Sequence, residues 1–130
     1  MFDALLKALP LALSVAVCGC AHVTPPTPDA DAAPRAALAQ FLAAQQSGDF
    51  EKAYTLLAAP LRARYTPRRL QADYQRDQAL AADKLARARA ALASGVPFEV
   101  SGESARLPLG PGRAVQLVSE DGAWRILSLE

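Results

Sequence analysis

The sequence predicts an α+β domain in which helices come first and an antiparallel sheet follows. Three helices are expected at about residues 34–47, 49–59 and 67–93, where apolar side chains recur at helical spacing. From about residue 96 to residue 129 the pattern changes to short alternating segments separated by turns, which predicts a meander of about four strands. Because the helices precede the strands instead of alternating with them, they are expected to pack together on the sheet.

The first predicted helix begins near Pro34 and ends at Ser47-Gly48, since glycine is common just beyond helix C-termini. Leu38, Phe41 and Leu42 form its apolar face. Three glutamines are predicted to point away from that face: Gln40, Gln45 and Gln46.

The second predicted helix begins after Asp49, whose side chain is a favourable N-cap. Pro60 is expected to end it near Ala59, because the residue before a proline avoids helical backbone angles. Its apolar stripe is predicted to contain Phe50, Ala53, Tyr54 and Leu57.

The third predicted helix begins at Thr66-Pro67, with threonine as the cap and proline in the first turn. No glycine or proline interrupts it before Ser94-Gly95. Its polar middle, residues 75–83, is consistent with either a kink or a solvated stretch. The strands that follow are separated by turns at residues 110–112 and 120–122, and Trp124 is predicted to pack in the core or in the last hairpin.

The N-terminal segment is typical of an export signal. Lys7 precedes an apolar run at residues 8–17, which is too short to cross roughly 30 Å of hydrocarbon, since a span takes about 20 residues. The next residues, Val17-Cys18-Gly19-Cys20, resemble the lipobox of bacterial lipoproteins, with Val17, Gly19 and Cys20 at the matching positions. The resemblance implies that residues 1–19 are removed as a signal peptide and that Cys20 is lipidated. A transmembrane anchor, ordinary signal cleavage and a C-x-C metal or redox pair are the alternatives.

Residues 20–34 are predicted to form a tether between the lipid and a single domain at residues 35–130. Four prolines fall within residues 21–34, and at roughly 3 Å per residue such a segment reaches about 40 Å. Ala21 follows the cysteine where aspartate often signals inner-membrane retention in lipoproteins. The resemblance therefore favours an outer-membrane anchor, with the domain in the periplasm or at the cell surface.

The composition argues against several kinds of site. His22 is the only histidine and lies in the predicted tether, which leaves no histidine for a catalytic triad or a zinc site in the domain. Loss of Cys18 and lipidation of Cys20 would leave no cysteine for a disulfide. The net charge is +1, so no global attraction to nucleic acid is expected. No metal, cofactor or nucleic acid is predicted.

The segment LAAQQSGDFEKAYTLL at residues 42–57 resembles the opening of ketosteroid-isomerase-like cone domains, also called nuclear-transport-factor-like or cystatin-like folds. DGAWRI at residues 121–126 is similar to the last hairpin of that fold. The resemblance covers about residues 36–129. The helix at 67–93 is longer than the family's usual third helix and only about four strands follow, so the cone's cavity is expected to be shallow or filled.

Catalytic members of that family use acids or tyrosines inside the cone. The candidates for such an inward position here are Tyr54, Tyr65, Asp73 and Tyr74, of which Tyr54 and Asp73 are the catalytic candidates. The family's general-base aspartate has no assigned counterpart in this sequence. The alternative is that Tyr54 and Tyr74 are core residues whose hydroxyls lie at the rim. No pair of carboxylates stands at a spacing that suggests acid and base partners.

A basic cluster surrounds Pro67 and consists of Arg62, Arg64, Arg68 and Arg69. It predicts either an anion site, for a phosphate headgroup, lipopolysaccharide or an acidic partner, or a solvated basic turn. Asp73 and Asp77 stand at helical spacing from Arg69 and are expected to neutralise part of this charge. Lys84, Arg87 and Arg89 are expected to face water.

The leading hypothesis is a non-catalytic lipoprotein, tethered to the outer membrane, whose domain binds an envelope protein or a small apolar ligand. The enzyme alternative is a ketosteroid-isomerase-like isomerase or hydratase that uses Tyr54 or Asp73. The third alternative is a structural protein of envelope assembly. A solvent-reachable apolar cavity with an acid at its base would favour the enzyme over the other two.

Overall fold

Four antiparallel strands and five helices form the part of the chain that the computed structural model describes, residues 30–129. The helices lie on the N-terminal side of the sequence and pack against an open sheet, which confirms the predicted α+β class. The signal peptide, Cys20 and most of the predicted tether lie outside the described residues.

The helices are α1 (Ala32–Ser47), α2 (Phe50–Thr55), α3 (Ala59–Arg62), α4 (Pro67–Arg76) and α5 (Gln78–Ala93). The strands are β1 (Glu99–Ser101), β2 (Ser104–Gly110), β3 (Arg113–Glu120) and β4 (Ala123–Leu129). The sheet order β1-β2-β3-β4 follows the chain, so the predicted meander is confirmed.

The helix ends predicted from local sequence are confirmed where a cap decides them. Gly48 takes a left-handed backbone with a φ of 76° after α1. The Asp49 carboxylate accepts a hydrogen bond from the Lys52 backbone N–H at the start of α2. At the start of α4, the Thr66 hydroxyl accepts one from the Arg69 N–H at 3.1 Å.

The second predicted helix, 49–59, is wrong in its C-terminal half. α2 ends at Thr55, and Leu57 forms an isolated parallel bridge with Ile126 of β4. The Ile126 N–H donates to the Leu56 carbonyl, and the Ile126 carbonyl accepts from Ala58 N–H, both at 2.8 Å. Hydrogen bonding to β4 therefore competes successfully with helix continuation. Pro60 lies in the first turn of α3 instead of ending α2, and a proline there displaces no helical hydrogen bond.

The third predicted helix, 67–93, is divided at Asp77. This residue has φ −119° and ψ 46°, outside the helical range, and α5 starts at the next residue. The division falls within the polar stretch, 75–83, for which the sequence was consistent with a kink. It lets α4 pack on α2 while α5 packs on α1 and β2.

The space between the helices and the sheet is filled by aliphatic side chains. Five of them are less than 2% exposed: Leu38, Leu107, Val115, Leu117 and Ile126. They come from α1 and from strands β2, β3 and β4. Burial of a side chain of this size contributes about 1.5–3 kcal/mol, so this interface is the main source of stability in the described domain.

A polar cluster joins the start of α1 to the loop before β1. The Arg35 guanidinium donates to the Asp31 carboxylate at 3.0 Å and to the Val96 carbonyl at 2.7 Å. It also lies over the Phe98 ring, 5.4 Å from the ring centre. The hydrogen bond from Arg35 holds the pKa of Asp31 below its ordinary value, despite the opposing effect of burial. Packed structure therefore extends back to Asp31, into the segment predicted as tether.

Candidate functional site

An apolar groove of about 230 Å³ lies between α1, α4, α5 and the end of β4. Its walls include Phe41 and Gln45 of α1, Leu70 and Tyr74 of α4, Leu85 of α5 and Leu129 of β4. It is called the α4–α5 groove below. It exists because α4 and α5 part at Asp77 and pack on different neighbours.

The burial of Gln45 in this groove differs from the sequence prediction. It is only 8% exposed, and its side-chain oxygen Oε1 is buried without a hydrogen-bond partner. The prediction that Gln45 points away from the apolar face is therefore wrong. Gln45 follows Phe41 by four residues and Leu38 by seven, and these spacings place all three on one helix face. A polar atom buried without a partner costs about 1–3 kcal/mol.

Two tyrosines border the same groove. Tyr65 lies beneath the Arg69 guanidinium, which is 5.4 Å from the ring centre. Tyr74 packs against Phe50 with 5.7 Å between ring centres and a tilt of 56°. Both rings are half-buried, as expected for tyrosines that pack an apolar body at the edge of a core.

The two catalytic candidates are not brought together. Asp73 lines the α4–α5 groove, where its carboxylate accepts a hydrogen bond from Arg76 at 2.6 Å and its side chain stays 33% exposed. Tyr54 does not line the groove. Its hydroxyl donates to the Arg62 carbonyl at 3.2 Å. Asp73 is therefore an ion-paired acid at the rim, and Tyr54 is a structural hydrogen-bond donor.

The predicted arginine cluster separates into different environments. Arg62 forms an ion pair with Glu120 at 3.4 Å, and Arg69 covers Tyr65. Arg64 and Arg68 are exposed. The expected neutralisation of Arg69 by Asp73 is wrong, because the Asp73 carboxylate is bound by the nearer arginine of the same helix turn.

A second depression, of about 310 Å³, adjoins the α4–α5 groove and shares Leu80, Lys84 and Leu129 with it. Arg87 and Arg113 line its remaining walls together with Leu109 and Gly112, and among residues 30–129 its lining includes no acidic residue. It is called the basic depression below. Lys84 and Arg87 were expected only to face water, whereas here they border a concave surface.

The residues of the two concave surfaces differ in how far the sequence predicts their positions. Helical spacing from Phe41 places Gln45 on the inward-facing side of α1, so its burial is predictable from the sequence. Leu80 and Arg113 are far apart in the chain, and only the approach of α5 to the β2–β3 turn brings them to one surface. No local pattern signals such a pairing.

Within residues 30–129, the structure contains no cluster of three or more histidine, cysteine, aspartate or glutamate side chains suited to a metal ion. None of the helices in that range combines the length and apolarity that a membrane span requires. A comparison with known protein families, curated proteins and solved structures found no match for this chain.

Proposed function

We propose that this chain is a lipoprotein anchored to the outer membrane through Cys20, and that its domain binds a small apolar ligand in the α4–α5 groove without catalysing a reaction. The observation that carries the binding role is Gln45, a residue that lines an apolar groove and whose Oε1 is buried without a hydrogen-bond partner. An apolar ligand with a hydroxyl or amide N–H would complete that hydrogen bond once the Gln45 amide turns toward the groove, and it would cover the surrounding side chains. Such an arrangement, an apolar surface with a few polar groups, is typical of ligand sites.

The anchor is supported by the sequence alone. The lipobox-like Val17-Cys18-Gly19-Cys20 follows a short apolar run, and a proline-rich segment separates it from the packed domain. Three acyl chains, as lipoproteins of this class usually carry, hold a protein on a membrane far more durably than one. The resemblance to cone domains, which occur in many envelope lipoproteins, agrees with this location.

The non-catalytic role is supported by the engagement of both candidate residues. Asp73 is held by Arg76 at the rim, and the Tyr54 hydroxyl donates a hydrogen bond to a backbone carbonyl. Asp73 lines the apolar groove but is already paired with Arg76, and Tyr54 does not line the groove, so neither side chain is poised to act there as an acid or base. Turnover of a substrate that is abolished by Asp73→Asn or Tyr54→Phe would overturn this part of the proposal.

Binding in the groove is tested with 1-octanol, a probe that has an aliphatic body and one hydroxyl donor. The full chain carrying Cys20→Ala, which prevents lipidation, is titrated and the dissociation constant is read from amide chemical shifts. Octanol should bind, and Gln45→Leu should weaken it by up to about tenfold, since a neutral hydrogen bond contributes about 0.5–1.5 kcal/mol.

The matched control is Gln40→Leu, because Gln40 is an exposed glutamine of the same helix. It should leave octanol binding unchanged. Absence of binding to the parent chain, or equal weakening by both substitutions, would contradict the groove as the site.

The anchor is tested by metabolic labelling with palmitate. Label should enter the wild-type chain and be absent from Cys20→Ala. Equal labelling of both would contradict Cys20 as the acceptor, and absence of label from both would favour an ordinary signal peptide.

A further inference from the structure

Charge is distributed unequally along the two adjoining concave surfaces. The α4–α5 groove carries Asp73 and Asp77 at its α4 side, whereas the basic depression carries Lys84, Arg87 and Arg113. Lys84 belongs to both surfaces. A ligand that extends from one surface into the other therefore passes from apolar and weakly acidic walls to an end whose charged side chains, within residues 30–129, are basic.

Existing ion pairs neutralise part of the charge on each surface. Asp73 is bound by Arg76, and Arg87 is bound by Asp83. Neither Lys84 nor Arg113 has an ion-pair partner within residues 30–129. Both are exposed, so their charges are available to an anion at the basic depression.

The wall shared by the two surfaces is unusually apolar for an exposed position. Leu80 is 56% exposed, and within the described residues it is the large hydrophobic side chain that is left most open to water. It stands on this wall beside Leu129. An aliphatic chain laid along the wall would remove both side chains from water, which is favourable in proportion to the apolar area covered.

We propose that the ligand is a single-chain fatty carboxylate with a hydroxyl group on its chain, a choice that rests on the proposed function of the groove. The aliphatic chain lies in the α4–α5 groove and over Leu80. The hydroxyl donates to Oε1 of Gln45, and the carboxylate accepts hydrogen bonds from Lys84 and Arg113. One linear molecule thus donates a hydrogen bond to Oε1 of Gln45, covers Leu80 and places a negative charge beside Lys84 and Arg113.

The volumes and the charges decide against the nearest rival ligands. Two depressions of about 230 and 310 Å³ that share a wall suit one extended chain, which can occupy both, better than a compact ring system, which would occupy one. A cationic amphiphile would have to use Asp77, because Asp73 already holds Arg76. It would also meet Lys84 on the shared wall.

The experiment compares three probes of equal chain length: 10-hydroxydecanoate, decanoate and decyltrimethylammonium. Each is titrated into the full chain carrying Cys20→Ala, below its micelle concentration, and followed by chemical shifts. The expected order of affinity is 10-hydroxydecanoate, then decanoate, then the cation. Tighter or equal binding of the cation would overturn the proposed ligand class.

The double variant Lys84→Gln/Arg113→Gln tests the basic end. It should weaken 10-hydroxydecanoate about tenfold or more, since hydrogen bonds to charged groups are lost. Arg113→Gln alone, at a residue that lines only the basic depression, should leave 1-octanol binding unchanged. Arg89→Gln is the matched control, because Arg89 is exposed on α5 but lines neither surface. Unchanged affinity in the double variant would overturn the assignment of the carboxylate.

These outcomes separate the two proposals. If octanol binds through Gln45 but the sign of the head group has no effect, the groove remains a binding site and the fatty carboxylate is wrong. If neither octanol nor any of the charged probes binds, the proposed function fails as well.

Discussion

Replacement of Gln45 by leucine is predicted to stabilise the protein while impairing its binding site. Gln45 is 8% exposed, and its Oε1 has no hydrogen-bond partner. Leucine has a similar volume and presents no polar atom, so it removes the penalty of an unpaired buried acceptor. That penalty is about 1–3 kcal/mol. For a domain of this size, each kcal/mol raises Tm by about 4–8 °C.

The assay is urea unfolding of the full chain carrying Cys20→Ala, with and without Gln45→Leu, supported by a thermal scan. The free energy of unfolding should rise by about 1–3 kcal/mol without a change in the slope against urea. Gln40→Leu, at an exposed position, should change it by no more than about 0.5 kcal/mol. A loss of stability in Gln45→Leu would refute the reasoning, because it would show that the amide is satisfied in the folded state.

Three further predictions concern stability. Leu107→Ala should cost about 2–5 kcal/mol in urea unfolding, because Leu107 is fully buried, whereas Leu80→Ala should cost less than about 0.5 kcal/mol; equal costs would contradict the described core. Thr66→Ala should cost about 1 kcal/mol, since its hydroxyl caps α4, and an unchanged midpoint would contradict the cap. The pKa of Asp31 lies below its ordinary value of 3.8 because of the Arg35 hydrogen bond. Its stabilising contribution is therefore complete above pH 3.8 and is lost as the pH falls through the lower, folded-state pKa. Arg35→Gln should reduce this acid-dependent loss in unfolding measured from pH 6 to pH 2, and an identical pH profile would contradict the pairing.

Much of the fold is predictable from short-range sequence patterns. Gly48, Asp49 and Thr66 act within one helical turn of their own positions, so the sequence alone predicts the helix ends that they form. The Asp121-Gly122 turn is likewise local, and Asp121 takes a positive φ of 52° there. Alternation of apolar residues was sufficient to predict the meander.

The wrong predictions concern segments whose backbone conformation depends on a hydrogen-bond partner far away in the sequence. Pro60 reads as the end of a helix, yet the segment before it is bound to Ile126, nearly 70 residues away along the chain. No pattern within residues 49–60 reveals that β4 will offer hydrogen bonds to Leu56 and Ala58. Long-range pairing overrode the local preference for helix.

The candidate site was less predictable than the fold. The resemblance to cone domains suggested Tyr54 and Asp73 as site residues. The groove in the structure depends instead on Gln45, on the helix break at Asp77 and on the exposed Leu80. A buried amide without a partner is a property of three-dimensional packing. It becomes visible only when the neighbours of Gln45 are known.

The most direct test of binding in the α4–α5 groove is the set of nuclear Overhauser effects between 1-octanol and the full chain carrying Cys20→Ala. We expect contacts from octanol protons to the Leu80 and Leu129 methyl groups and to the Gln45 side-chain amide. Contacts confined to the sheet depression that includes Val100 and Leu127, or no contacts at all, would contradict binding in the α4–α5 groove.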